Sequence, residues 1–334
     1  MSCVVVDKRD DMSGQSELTK PRVGVVLSSG GVRGVYAHTG FLLALDKIGF
    51  NIKAMAGCSA GAVVGGIYAS GTSVQEWAAT LSEITPKHFW APSFLRMGYS
   101  FFFRKGRGYS GMSSTRTAMA FCHRHLKVKT FEDCKIPFYT LAKNLLHGCK
   151  TLFERGELAP RIVASAAAPL LYEPVEVNNE LYCDGALLEL SPTDAICCKH
   201  QLDILVIHHV ARHNKGNIGL KQLLQQPWSL IEVLNMLLYQ QRPWYLSDDP
   251  ITFRQCPCGC DAIIIVIEPD LPDILWPATD NGSKVLDITR RQTETLLRPY
   301  LDAMKHDKTR LLKEVKNTTS GLTTELECGI RYEN

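Results

Sequence analysis

The chain has 334 residues, 45% of them hydrophobic and 21% charged, with 37 basic against 34 acidic side chains and a formal net charge of +3. Such a composition can bury a sizeable core and excludes whole-chain disorder, collagen and coiled coil. The near balance of charge leaves no basic footprint of the kind nucleic acid requires.

The first twenty residues, with Asp7, Lys8, Arg9, Asp10 and Asp11, are polar and lack a continuous apolar stretch, so they read as a disordered leader without a secretory signal. Residues 23–27 (VGVVL) are a short run of mostly β-branched residues, the pattern of a parallel strand covered on both faces. A glycine-rich turn, 28–34 (SSGGVRG), follows. Apolar Val35, Leu42, Leu45 and Ile48 then recur at helical spacing, and Gly49 supplies the C-cap. A second strand is predicted at 52–56, then the turn Gly57-Cys58-Ser59-Ala60-Gly61 and a small-residue helix to about residue 69. Residues 54–75 carry no charge and are long enough to span a bilayer. Their Gly, Ala and Ser content gives a poor transfer energy, so the run reads as buried. The strand, turn, helix alternation predicts an α/β fold with a largely parallel sheet and function at the carboxyl ends of the strands.

Residues 73–84 read as a helix with Trp77 and Leu81 on one face, ended by Pro86. The segment 86–112 is aromatic and basic, its Gly and Pro break any long regular element, and it reads as a lid-like insertion. Strands are predicted at 137–142 and 151–154, a small-residue helix at 161–168 ended by Pro169, and a hairpin of 172–177 and 181–182 around Asn178-Asn179. That hairpin leads into Cys183-Asp184-Gly185-Ala186. Two more buried strands are predicted at 204–207 and 263–267, an amphipathic helix at 228–241, a last helix at 283–316 and a polar tail at 317–334. No linker divides residues 21–316, which are expected to form one catalytic domain.

Gly57-Cys58-Ser59-Ala60-Gly61 fits G-x-S-x-G, a nucleophile elbow in which small residues let the backbone double back and expose a serine hydroxyl at a helix N-terminus. Ser59 is the candidate nucleophile; Gly57, Cys58, Ala60 and Gly61 shape the elbow. Attack on a carbonyl creates an oxyanion that needs preorganised donors. Gly30, Gly31, Arg33 and Gly34, directly after the first strand, are the candidate oxyanion loop. Their spacing does not fit the dinucleotide-binding G-x-G-x-x-G. Asp184 is the candidate base, with Gly185 and Ala186 turning the chain behind it.

In this order, SSGGVRG, GCSAG, ASAAAP and YCDGALLELSP resemble the patatin-like phospholipase family over about residues 23–207. The resemblance implies a three-layer α/β/α fold with a mostly parallel central sheet, and a serine–aspartate dyad without histidine. It further implies a lipid acyl hydrolase of phospholipase A or lysophospholipase type, acting through an acyl-enzyme. By position, Ser59 is then the nucleophile, Asp184 the base, and Gly30, Gly31, Arg33 and Gly34 the oxyanion loop. Ser29 stands where many members have the first glycine, and Ala186 replaces the second glycine after the aspartate; both are small. No metal or organic cofactor is expected in the chemistry, and the expected partner is a lipid or phospholipid.

Three alternatives stand beside it. Ser59, Asp184 and His208 or His209 fit the order of a triad hydrolase. A lipid-binding regulatory protein with a degenerate site would share the motifs. Cys256-Pro257-Cys258-Gly259-Cys260 offers three thiols to zinc, but the local sequence holds no fourth ligand at ordinary spacing, so the segment reads as redox-sensitive or idle thiols. Twelve scattered cysteines suit a reducing, cytoplasmic setting. Phe89, Trp90, Phe101, Phe102 and Phe103, with Arg96, Arg104, Lys105 and Arg107 nearby, are candidate contacts to a membrane surface. The competing reading packs those aromatics onto the core.

Overall fold

The computed structural model describes residues 20–210, 229, 233, 243–258, 260, 262–272, 279 and 281–319; the side chains at 96, 97, 101 and 314–319 are outside this description. Apart from their outermost or isolated positions, the leader at 1–20, the helix expected at 228–241 and the tail at 317–334 also lie outside the described residues.

The β-branched run expected to be a buried strand is one. Strand β1, Val23–Leu27, is buried throughout. It pairs in parallel with β2, Ile52–Cys58, on one side and β9, Ile204–His208, on the other. Beyond β9 lies β11, Ile263–Ile267, also parallel; beyond β2 lies β4, Phe138–Asn144, again parallel. The remaining strands of this nine-stranded sheet, β5 (Lys150–Phe153), β7 (Val175–Val177), β8 (Glu180–Asp184) and β10 (Ile251–Gln255), pair antiparallel at its margins. Short β3, Gly111–Ser113, and β6, Leu170–Tyr172, form a separate parallel pair. Strand β10 was not expected: its ITFRQ ends in polar residues and only Thr252 and Phe253 are buried, so its apolar signal is weak.

Alternate residues of β1 feed two cores. Val23, Val25 and Leu27 face helices α1 (Gly31–Ile48) and α2 (Ala60–Ala69), with Phe41, Leu45, Val64 and Ile67 among the packed side chains. Val26 faces the opposite side, where Ala195, Ile196, Cys197, Tyr245 and Leu246 cover the sheet. The uncharged stretch from residue 54 is therefore interior strand and helix. Among the described residues no helix is long and apolar enough to cross a membrane. Gly49 closes α1 in the left-handed region at φ 77, its N–H reaching Leu45 and Asp46.

Helices α3 (Val74–Leu81), α5 (Arg116–His125) and α6 (Leu158–Ala166) extend the α1/α2 side, with buried Trp77, Phe121 and Ile162 in the same core. The segment 86–112 departs from expectation. It contains an eleven-residue helix, α4, Phe94–Arg104, despite Gly98, where an added Cβ would meet nothing. The expected last helix is broken by Arg298-Pro299-Tyr300 into α7 (Gly282–Leu297), α8 (Leu301–His306) and α9 (Lys308–Thr319). Proline 299 cannot donate to the helical ladder. Helix α7 packs on α1, where a Cβ at Gly40 would lie 2.2 Å from the Leu286 carbonyl oxygen, and Lys47 pairs with Glu294 at 2.7 Å.

Candidate active site

Strand β4 assembles the site. Its residues 140 and 141 pair with β2 on one edge and β5 on the other, whereas 142 and 143 pair with β5 and β8. Because a strand has two edges, β2 and β8 must share one. They meet tip to tip, Cys58 opposite Leu141 and Asp184 opposite Ala142. β2 runs with β4 and β8 against it, so both carboxyl ends converge. Ser59, the next residue after β2, thereby meets Asp184, the last of β8.

The elbow is as tight as its sequence requires. A Cβ at Gly57 would stand 2.3 Å from the Gly61 carbonyl oxygen, and one at Gly61 would stand 2.2 Å from that of Leu27. Ser59 itself has φ 54 and ψ −117, a conformation that costs a non-glycine residue about 1–3 kcal/mol. A serine at a helix N-cap ordinarily spends its hydroxyl on a first-turn amide. Here it makes no such bond, and Ser59 Oγ instead donates to Asp184 Oδ2 at 2.8 Å. Asp184 Oδ1 accepts from the Ala186 N–H at 2.9 Å, in the single 3₁₀ turn Gly185–Leu187. Both partners are buried, Ser59 at 8% exposure and Asp184 at 3%. Burial raises the Asp184 carboxyl to about 6, against the opposing pull of the Ala186 and Ser59 hydrogen bonds.

The carboxyl end of α6 clamps this pair. Ser165 Oγ accepts from the Ser59 N–H at 3.1 Å, and the Ala167 carbonyl accepts from the Asp184 N–H at 3.0 Å. Ser165 lies in ASAAAP, a motif whose resemblance carried no role for it; a small polar residue between alanines was its only signal. On the other side the first turns of α1 and α2 abut, since a Cβ at Gly34 would come 2.9 Å from that of Ala60. Two helix N-termini, with first-turn amides lacking intrahelical partners, thus lie beside the hydroxyl. Gly30 caps α1 without a side-chain bond, and Gly31 sits at φ 56, a region closed to most other residues. Arg33 turns its guanidinium away to the Val210 carbonyl at 2.8 Å, bracing the loop to the chain after β9.

Neither candidate histidine is hydrogen bonded to Ser59 or Asp184. His38 Nε2 donates to the Ser28 carbonyl at 2.7 Å, which leaves its Nδ1 to accept from His208 Nδ1, also at 2.7 Å. Phe41 stacks on His208 at 4.3 Å. His209 Nδ1 bonds the Tyr245 hydroxyl at 3.1 Å, and that hydroxyl donates to Ser191. Burial holds His38 down to about 3 and His208 well below its ordinary value, so the pair is neutral. The Ser28 carbonyl also accepts from the Gly61 N–H at 3.1 Å, so the pair anchors the backbone under the elbow.

The aromatic segment divides. Trp90 is buried and its indole N–H donates to the Leu171 carbonyl, while Phe89 packs edge-on to Phe121. Those two belong to the core face. Phe102 and Phe103 of α4 are 87% and 78% exposed, together with Leu95 at 90% and Tyr99. The Phe101 side chain lies outside the described residues.

Fold and geometry define an α/β protein with a serine on a strained strand-to-helix elbow, bonded to a buried carboxylate. The sequence pattern of the patatin-like phospholipase family matches residues 25–196, and the chain belongs to that family. It is 35% identical over 176 residues to an uncharacterized NTE family protein of Mycobacterium tuberculosis, covering 52% of this chain and 45% of that one. It is 29% identical over 193 residues to a protein named lysophospholipase NTE1 in Cryptococcus neoformans, covering 56% of this chain and 11% of that one. The chain thus spans less than half the length of these curated relatives. Among solved structures, human GIVD cytosolic phospholipase A2 shares the fold at a TM-score of 0.50 and 11% identity, over 91% of this chain and 64% of that one.

Proposed function

We propose that this protein is a lipid acyl hydrolase of phospholipase A or lysophospholipase type that uses Ser59 and Asp184 as a dyad. The observation that carries the reading is the 2.8 Å hydrogen bond from Ser59 Oγ to Asp184 Oδ2 at the strained elbow. The names of the family and of the fungal relative support a lipid ester as substrate. Asp184 accepts the Ser59 proton as Oγ attacks the ester carbonyl, and first-turn amides of α1 with the Ala60 N–H of α2 stabilise the oxyanion. Protonated Asp184 then delivers that proton to the leaving alkoxide. Water, deprotonated by Asp184, hydrolyses the acyl-enzyme and restores the serine. A carboxyl raised to about 6 is ionised at neutral pH yet basic enough for this exchange.

Helix α4 is the surface that meets the lipid aggregate. Leu95, Tyr99, Phe102 and Phe103 form an exposed apolar stripe, followed by Arg104, Lys105 and Arg107, which suit anionic headgroups.

The test is a panel of diacyl phospholipids, lysophospholipids and neutral glycerides, with products read by mass. Ser59→Ala and Asp184→Asn should each lower fatty-acid release by about 10³-fold or more. Release within tenfold of wild type in either variant, or a Ser59 that does not react with a fluorophosphonate, would sink the dyad.

A further inference from the structure

Cysteines that looked incomplete in the sequence are completed by the fold. Cys256, Cys258 and Cys260 occupy the turn between β10 and β11, where local sequence supplies no fourth ligand. Cys197 and Cys198, about sixty residues earlier, lie in the turn segment that leads into β9. Because β9 and β11 pair in parallel with Ile204 opposite Ile263, both segments end up at the same, amino-terminal edge of the sheet. The five sulfurs all lie within 4.8 Å of one another.

We propose that Cys197, Cys198, Cys256, Cys258 and Cys260 form a structural zinc site in which four thiolates hold one ion. With Zn–S bonds of about 2.3 Å, the sulfurs of a tetrahedral site lie roughly 3.8 Å apart; the five here lie within 4.8 Å, with neighbouring pairs at 2.7, 2.9, 3.3 and 3.4 Å, so the closest need only spread by about 1 Å to surround an ion. The competing account is disulfide formation. The closest pair, Cys198 and Cys258, is at 2.7 Å, well beyond the roughly 2.05 Å of a disulfide, and pairing five thiols would leave one over. Idle thiols are the other account, but five converging from two distant segments is a costly way to be idle. An all-sulfur, four-coordinate donor set suits zinc, which is redox-silent and closed when structural. Binding Zn²⁺ releases the proton of each protonated ligating thiol to solvent.

The site's place excludes a part in the chemistry described above. Ser59 follows the carboxyl end of β2, whereas the thiols sit at the opposite edge, a five-residue strand or about 16 Å away along β9. The ion would staple the β10–β11 hairpin at the sheet margin to the segment before β9, where Cys197 is buried in the second core with Cys256 and Cys260 packed against it.

The experiment uses the full chain purified under reducing conditions with zinc in the growth medium. Elemental analysis should find about one zinc per chain in wild type and in Cys149→Ser, an exposed cysteine outside the cluster. The double variant Cys198→Ser/Cys258→Ser leaves only three thiols, and both its sites are exposed, so it should fold; its zinc should fall to under about a third. Cobalt added to the metal-stripped wild type should produce the strong visible bands of a tetrahedral thiolate complex, absent from the double variant. A chelator should lower the melting temperature of wild type but not of the double variant. Equal zinc in both proteins overturns the proposal, as do a metal-free wild type whose cluster thiols all react freely, disulfides in that wild type, or stoichiometric iron in place of zinc.

Discussion

Asp184 governs two pH dependences of opposite sense. As the proposed base it must be ionised, so kcat/KM on a soluble ester should be level at neutral pH and fall about tenfold per unit below about 6. The same burial taxes the fold. A carboxyl at about 6 in the native state and near 3.8 unfolded costs nothing below 3.8, and costs about 2–3 kcal/mol once pH passes 6. Asp184→Asn keeps an acceptor for Ala186 N–H and removes the charge. It should therefore be inactive yet more stable at pH 8 by about that amount, with the gain gone near pH 4 in denaturant melts. An inactive variant of unchanged stability at pH 8 would mean the carboxylate is better solvated than its 3% exposure implies.

At the scale of elements, the elbow and α4 make contrasting demands. Gly61→Ala would push a Cβ to 2.2 Å from the Leu27 carbonyl, which is backbone and cannot step aside. A loss of about 2 kcal/mol or more is expected, measurable as a shifted denaturation midpoint, together with loss of fluorophosphonate labelling as Ser59 leaves its place. Helix α4 is the reverse case, since its Leu95, Tyr99, Phe102 and Phe103 side chains touch solvent. Phe102→Asp/Phe103→Asp should leave the melting temperature and turnover of a short soluble ester unchanged, while cutting co-sedimentation with anionic vesicles severalfold. Undiminished vesicle binding would remove α4 from the lipid-facing surface. The aromatic pattern of residues 86–112 was readable in the sequence, but not which of those side chains faced outward. Trp90 and Phe102 are equally suited to an interface, and only packing against Leu171 and Phe121 takes Trp90 and its neighbour Phe89 into the core.

Across the whole molecule, acid should unfold this protein through its buried histidines. His38 is held at about 3 and His208 well below its ordinary value, both by burial, while the unfolded chain takes up protons near 6.5. The contribution of a neutral His38 is complete above 6.5 and is lost as pH falls toward 3, by about 1.4 kcal/mol per unit, and His208 acts in the same direction. Asp184 returns a slope similar to that of His38 and opposite in sign between 6 and 3.8, so it offsets part of the histidine loss there. In Asp184→Asn that relief is missing, and the acid slope between 6 and 3.8 should be steeper than that of wild type. Parallel stability profiles for the two proteins would show that the histidine pair is not what acid attacks.

What the sequence determined by itself is local. The β-branched runs, the Gly49 cap and the G-x-S-x-G turn follow from steric preferences within a few residues, and each appears where its pattern places it. So, within a few residues, does the order of strands and helices on which the α/β reading rested. The rest required distant residues to meet. That β2 and β8 end on one edge of β4, that α6 supplies Ser165 to the Ser59 amide, and that His208 bonds His38 rather than the serine are matters of strand pairing over tens of residues. The five-thiol cluster depends likewise on the parallel register of β9 and β11. Periodicity and motif spacing carry no information about which edges of a sheet are shared, because that choice is made by packing the two cores, not by any short stretch of chain.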